Sequence, residues 1–142
     1  MSADVGRVQA RLADIAEQAA ALRGYFAGVG DEQADPLRRS GLRYAVQTAA
    51  EAIMDVAYHL CARGWSHAPS DAHDALDFLA ARGVLPQARL AAWHGLIGTR
   101  NRLVHGYLDV SEARFLRDVE AGIADLDAFI AAVQGWLAVQ GA

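Results

Sequence analysis

The side chains best suited to chemistry lie in one short stretch of the chain, from Arg100 to Tyr107. The same stretch holds His105 and the only asparagine of the protein, Asn101. Histidine takes up and releases a proton near neutral pH, as general acid–base catalysis requires. Arginine is permanently charged, and its planar fork of donors fits a phosphate group. Together these residue types predict chemistry on a phosphodiester.

The spacing of this stretch indicates how a helix would display it. An apolar stripe of helical period precedes it at Leu90, Trp93 and Ile97. Arg100 takes the next position of that stripe, so it requires a partner anion, a wet cleft or a subunit interface. Asn101 and His105 share a helical face, so the amide can orient the imidazole. Arg100 and His105 lie about 140° apart on an ideal helix and converge only through the length of the arginine, a distorted turn or a second subunit.

Structural interpretations of the same residues remain open. Arg100 could form an ion pair inside the protein with Glu51 or Asp55, two like charges that are otherwise expected to be solvated. His105 could be a hydrogen-bonded residue at a helix end. Tyr107 could cover the core with its hydroxyl in water.

Four segments that must position this stretch have the apolar period of amphipathic helices. Their stripes are Val5, Val8, Leu12, Ile15, Ala19, Leu22 and Phe26; Leu42, Val46, Ala49, Ile53, Val56 and Leu60; Leu90, Trp93 and Ile97; and Leu116, Val119, Ile123, Leu126, Ile130, Val133 and Leu137. The predicted fold is all-α, an up-and-down bundle of about five helices, four long and one short.

Capping residues place the helix ends. Asp35 and Pro36 read as an N-cap and the first helical residue of a helix that ends near Gly64. Ser70, followed by Asp71 and Asp74, opens the short helix, which runs to Gly83. Pro86 opens the next helix, and Ser111 with Glu112 opens the last.

Length and composition favour one cytosolic domain spanning residues 1–142. Of its residues, 54% are hydrophobic and 21% charged, which is typical of a globular fold. No secretory signal or membrane span is expected, and the single cysteine, Cys61, excludes an internal disulfide. The net charge is −4 and all 13 basic residues are arginine, which argues against non-specific binding along nucleic acid but not against a small basic site.

No motif for a metal or cofactor is evident. His67, His73, Asp71 and Asp74 match no standard metal spacing and fit a capped, solvated helix start. His94 is expected to be a core-edge residue. A Gly-rich phosphate loop, a nucleophile elbow and a zinc pattern are all missing from the sequence. We therefore expect neither a metal nor a cofactor.

The motif Arg-Asn-x3-His-x-Tyr resembles the signature of HEPN-domain proteins, specifically the HepT-like toxin family. The resemblance extends over most of residues 5–137, through the order of the helices and a long second helix that carries Gln47, Glu51 and Asp55. It implies a HEPN-like helical bundle that acts as a metal-independent endoribonuclease toxin. It also implies a homodimer in which two motifs form one composite active site. The antitoxin would be an MntA-like nucleotidyltransferase that adds AMP to the motif tyrosine.

Transferred residue by residue, the resemblance makes Arg100 and His105 the catalytic pair, with Asn101 in support. It makes Tyr107 the site of AMPylation, and Arg102 becomes a candidate for RNA contact. His105 would take the proton of the RNA 2′-hydroxyl or protonate the leaving 5′-oxygen, while Arg100 would stabilise the phosphate. The alternative expectation is a HEPN domain without catalysis, which binds a nucleotide or a protein or serves as a dimerisation module.

Overall fold

The computed structural model describes residues 4–28, 35–105 and 112–141. They form five α-helices and one short 3₁₀ turn: α1 (Val5–Ala27), α2 (Pro36–Trp65), α3 (Ala72–Ala81), the turn (Gln87–Arg89), α4 (Leu90–His105) and α5 (Glu112–Gly141). These ranges contain no β-strand. The predicted all-α bundle of four long helices and one short helix is therefore confirmed.

Aspartate side chains cap three of the helices at their N-termini. Asp4, Asp35 and Asp71 each accept a hydrogen bond from the backbone N–H three residues on, at the starts of α1, α2 and α3. Pro36 follows Asp35 at the first helical position, as predicted. Each cap satisfies a backbone donor that the first helical turn leaves unpaired.

Three predicted ends are off by one or two residues, and the helix predicted to open at Pro86 begins with the 3₁₀ turn and becomes α-helical only at Leu90. Helix α2 continues past Gly64 to Trp65 and ends where Ser66 adopts a left-handed conformation with φ of 51°. The cap of α3 is Asp71 rather than Ser70, because it is the Asp71 carboxylate that reaches the free N–H of Asp74. Helix α3 ends at Ala81, before Gly83 with φ of 79°. Hydrogen-bond geometry at these ends, rather than glycine alone, decides where each helix stops.

The core lies around α2, which contacts α1, α3 and α4. All six residues of its predicted stripe are buried, as are Val8, Leu12, Ile15, Ala19 and Leu22 of α1. The prediction was wrong for Val5, which lies at the frayed start of α1 and is 49% exposed. Two core residues of α5, Phe115 and Phe129, were not in the predicted stripe although they lie beside it on the helix.

The helix α4 carries the motif and is anchored by few residues. Only Trp93 and Ile97 of this helix are buried. The indole Nε1–H of Trp93 donates to the backbone oxygen of Asp125 in α5 at 2.8 Å, and its ring meets Phe129 edge to face at 5.6 Å. Trp93 therefore fixes the first turn of α4, while the motif occupies the opposite end.

Helix α4 runs antiparallel to α2. His94, in its first turns, is bonded to His73 of α3, and α3 lies against the C-terminal end of α2 through Cys61 and the Ala75 carbonyl. Six residues further along α4, Arg100 meets Glu51, ten residues earlier in α2 than Cys61. The C-terminal end of α4 therefore points towards the N-terminal half of α2.

An apolar groove separates α4 from α5 and has a volume of about 560 Å³. Its walls include Leu96 and Thr99 of α4 and Val119 and Gly122 of α5. The two helices thus diverge from their contact at Trp93 and Asp125 towards the end that bears the motif.

Helix α5 is long and apolar enough to cross a membrane by length and composition, with a mean hydropathy of 1.4 over its most apolar window, of which 22% is buried in the bundle. Phe129 and Val133 of this helix are completely buried. A core helix of a water-soluble bundle has this composition as well, so the property is weak evidence for a membrane span.

Candidate active site

Arg100 is half-buried, and its guanidinium is held by two neighbours. The Nε–H donates to Oε1 of Glu51 at 3.3 Å, and an Nη1–H donates to Oδ1 of Asn101 at 3.1 Å. The side chain of Arg100 is 24% exposed and that of Glu51 is 43% exposed. Glu51 is therefore the partner anion that was predicted for Arg100, and its carboxylate is in contact with water.

Asp55, the other carboxylate considered for Arg100, has a different partner. It accepts a hydrogen bond from Arg7 of α1 at 2.6 Å. This contact raises the pKa of Arg7 above its ordinary value, chiefly through the hydrogen bond to Asp55. The two carboxylates of α2 are four residues apart, yet one joins α2 to α1 and the other joins it to α4.

Gln47 completes this polar cluster, and sequence reasoning gave it no role. Its Nε2–H donates to the same Oε1 of Glu51 that accepts from Arg100, at 3.0 Å. We call Gln47, Glu51, Arg100 and Asn101 the arginine-holding cluster. A glutamine four residues before a glutamate on one helix is the only sequence signal of it.

Arg100 and His105 are five residues apart on α4, which places them about 140° apart around the helix axis. Helix α4 is regular as far as His105, which is exposed, whereas Arg100 turns towards α2. Of the three routes to convergence, a distorted turn is therefore not used between these two residues.

The two arginines of the motif lie on different sides of α4. Arg102 is exposed, lines the α4–α5 groove and donates from Nη2 to the hydroxyl of Thr99 at 3.1 Å. Arg100 instead faces Glu51. Arg102, the candidate for RNA contact, therefore points away from Arg100. Tyr107, the predicted site of modification, lies outside the described residues, as does Gly106.

Two large apolar side chains are exposed beside the arginine-holding cluster. Tyr44 lies seven residues before Glu51, on the same face of α2, and is 65% exposed. Val104 lies four residues after Arg100 on α4 and is 42% exposed. Because α2 and α4 are antiparallel, both lie beyond the Glu51–Arg100 pair in the same direction. They are two of the five large apolar side chains that are exposed in the described part of the chain.

A histidine pair forms a second polar cluster, well away from the motif. Nδ1 of His73 lies 2.6 Å from Nδ1 of His94, and Nε2 of His94 lies 2.7 Å from Oδ1 of Asp77. The sequence placed these histidines 21 residues apart and gave no sign of their contact. No group of three or more metal-binding side chains occurs among the described residues.

Two further titratable groups are buried, and both lie outside the motif. His59 accepts a hydrogen bond at Nε2 from the backbone N–H of Asp4, and its pKa is lowered, first by burial and then by Arg7 and Arg63. Burial, with a smaller contribution from Asp74, raises the pKa of the Cys61 thiol to about 11. Neither group is accessible to a substrate at the motif.

The fold and the motif together identify the class of protein. The family model for the HepT-like ribonucleases matches residues 15–133, which include all five helices at least in part and the whole motif. This chain belongs to the HepT-like family of the HEPN superfamily. No curated protein is similar enough to be counted as a relative.

Solved structures share this fold at low sequence identity. The tri-AMPylated HEPN toxin of Shewanella oneidensis, in complex with its MNT antitoxin, is 19% identical, with a TM-score of 0.83 over 95% of this chain and 99% of that one. A toxin–antitoxin complex with AMP-PNP is 18% identical, with a TM-score of 0.82 over 92% and 98%. YutE of Bacillus subtilis, a cytosolic protein of unknown function, is 18% identical, with a TM-score of 0.83 over 97% and 93%.

Proposed function

We propose that this protein is a metal-independent endoribonuclease and the toxin of a toxin–antitoxin pair in the cytoplasm. The observation that carries the proposal is the guanidinium of Arg100. It is fixed at the surface by Glu51 and Asn101, five residues before an exposed histidine, in a chain of the HepT-like ribonuclease family. Histidine can transfer protons and arginine can stabilise the charge on the phosphate, and cleavage of RNA by its own 2′-hydroxyl needs both kinds of catalysis.

The chemistry is a transesterification. A base takes the proton of the 2′-hydroxyl, the 2′-oxygen attacks the phosphorus, and the 5′-oxygen leaves with a proton from an acid. His105 supplies the base or the acid, and Arg100 stabilises the charge that develops on the phosphate. The products are a 2′,3′-cyclic phosphate and a 5′-hydroxyl.

Arg100 and His105 lie about 140° apart around a regular α4, so we propose that the working site is shared by two copies of the chain. A second copy packed at this end of the bundle would cover Val104, which is exposed four residues after Arg100. Arg100 of one copy and His105 of the other then face the same phosphate.

Cleavage is tested on purified protein and RNA in EDTA. We expect the wild type to yield cyclic-phosphate ends, and Arg100→Ala and His105→Ala to lose this activity and their toxicity in cells. His67→Ala is the control, because His67 follows the C-terminus of α2, far from the motif. Activity that survives in His105→Ala, or that requires a metal, would refute the mechanism.

The shared site is tested by mixing two inactive variants. Random exchange of Arg100→Ala and His105→Ala chains makes about half of the dimers mixed, and each mixed dimer can bring one intact Arg100 to one intact His105 across the interface, so activity well above that of either variant alone is expected. A mixture as inactive as its components would show that the two groups act within one chain. A monomer in light scattering would exclude the shared site altogether.

We propose an MntA-like nucleotidyltransferase as the antitoxin, with Tyr107 as its target. The support is the likeness in fold to toxins solved with MNT antitoxins, one of them tri-AMPylated. The tyrosine oxygen would attack the α-phosphorus of ATP and release pyrophosphate. The added AMP would place negative charge and bulk beside the RNA site. We expect Tyr107→Phe to remain toxic and to escape the antitoxin, with no gain of mass in intact-protein mass spectrometry.

A HEPN domain without catalysis, which binds a nucleotide or a protein, is the second candidate. The net charge of −4 and the carboxylate partner of Arg100 favour it, because both weaken the attraction of the site for RNA. The cleavage assay in EDTA decides between the two functions, since a binding module leaves the RNA intact.

A further inference from the structure

Glu51 contacts Arg100 in a way that leaves part of the guanidinium available. A guanidinium has five N–H donors in a rigid plane. In Arg100, Glu51 takes the Nε–H and Asn101 takes one Nη1–H. Among the residues that the structure describes, Nη2 has no acceptor within hydrogen-bond distance. Two N–H groups on Nη2 and one on Nη1 therefore remain for a ligand.

The arginine-holding cluster sets the direction of that free edge. Glu51 fixes the Nε side of the guanidinium from α2, and Asn101 fixes Nη1 from α4 itself, so the plane is held at two points. Gln47 donates to the same oxygen of Glu51 and thereby fixes the carboxylate in turn. An arginine side chain is otherwise among the most flexible in a protein.

The contact with Glu51 orients the guanidinium of Arg100 more than it stabilises the fold. Both side chains of the pair contact water, and ion pairs of this kind stabilise a fold by at most about 1 kcal/mol. The carboxylate also places a negative charge next to the site where a phosphate must bind, which opposes binding. Glu51 therefore supplies the partner anion of Arg100 but adds little to folding, and its charge opposes the binding of a phosphate.

We propose that Glu51, fixed by Gln47, is a positioning residue for RNA cleavage: it turns the free edge of Arg100 towards the scissile phosphate. This inference rests on the proposed ribonuclease activity. The phosphate accepts from Nη1 and Nη2 while Glu51 and Asn101 keep their bonds. The ordered guanidinium thus meets the transition state without first losing rotamer freedom.

Such a role gives Glu51→Ala a distinctive kinetic signature. Without the carboxylate the guanidinium is free to rotate, so we expect kcat to fall about 10- to 100-fold, as for a lost transition-state interaction. Loss of the negative charge strengthens RNA binding, so KM should fall about threefold. A residue that merely supports the fold lowers the active fraction and leaves KM unchanged.

Glu51→Gln and Asp55→Ala are the matched variants. Glutamine keeps an oxygen for Arg100 but loses the charge, so we expect the fall in KM without most of the loss in kcat. Asp55 lies one turn further along α2, where it binds Arg7 and not the motif, so Asp55→Ala should keep wild-type kcat and KM. Melting temperatures of all variants show whether they remain folded at the assay temperature.

The outcomes separate this inference from the proposed function. Wild-type protein that leaves RNA intact would overturn both. Cleavage that is lost in Arg100→Ala but keeps its kcat in Glu51→Ala would overturn the positioning role alone. Equal losses in Glu51→Ala and Asp55→Ala would also overturn it, because a general effect of weakening α2 would then account for the result.

Discussion

Trp93 is the main attachment of the motif helix, and its replacement by phenylalanine tests how that helix is held. The residue is completely buried, and its indole Nε1–H donates to the carbonyl of Asp125 at 2.8 Å. Phenylalanine keeps an aromatic ring next to Phe129 but has no donor and a smaller volume. The substitution therefore removes one buried hydrogen bond and leaves a small cavity between α4 and α5.

The expected loss of stability follows from these two changes. A hydrogen bond of this kind contributes about 1 kcal/mol. The smaller ring leaves a void of about 40 Å³, which costs about 1 kcal/mol at roughly 24 cal/mol per Å³. The free energy of unfolding should thus fall by about 2 kcal/mol, and the melting temperature by about 4 to 8 °C for a domain of this size.

Urea unfolding followed by circular dichroism measures this difference directly. Trp65→Phe is the control, because Trp65 is only partly buried and stacks on Trp136 at 5.6 Å near the end of α2. We expect this control to lose less than about 1 kcal/mol. If Trp93→Phe lost no more than the control, the hydrogen bond to Asp125 would not be what holds α4, and our account of its attachment would be wrong.

Three further predictions concern buried or strained groups. Burial lowers the pKa of His59 from its ordinary value of 6.5, so the folded protein holds this imidazole neutral. The stability that results is present above pH 6.5 and is lost as the pH falls below 6.5. The melting temperature should therefore drop between pH 7.5 and 5.5. The drop should be smaller in His59→Gln, whose side-chain oxygen can still accept the hydrogen bond from the backbone N–H of Asp4. Equal drops in the two proteins would contradict the role given to His59. Cys61 has no exposed surface, and the pKa of its thiol is raised to about 11. We therefore expect it not to react with a thiol reagent until the protein is unfolded in urea. Rapid labelling of the native protein would show that the surroundings of Cys61 open. Ser66→Gly should raise the free energy of unfolding by roughly 0.5 to 1 kcal/mol, because glycine adopts the left-handed conformation at the end of α2 without strain. A loss of stability in urea unfolding would mean that Ser66 makes a contact that stabilises the protein by more than this strain costs.

The sequence by itself determined the helices and the chemistry of the motif. Apolar residues at steps of three and four recur along each helix, and aspartates cap helix starts, so both signals are local and can be read along the chain. The same periodicity showed that Arg100 interrupts an apolar stripe and must have an anionic or wet environment. These features depend on neighbours within one or two turns, which is why no tertiary structure was needed to find them.

Only the tertiary structure decided which groups meet across helices. Glu51 and Asp55 were equivalent candidates in the sequence, and in the packed bundle Arg100 of α4 contacts Glu51 while Arg7 of α1 contacts Asp55. The contact between His73 and His94 was likewise invisible. Such pairings join residues 21 to 49 positions apart, and they depend on how helices pack, which spacing along the chain does not specify.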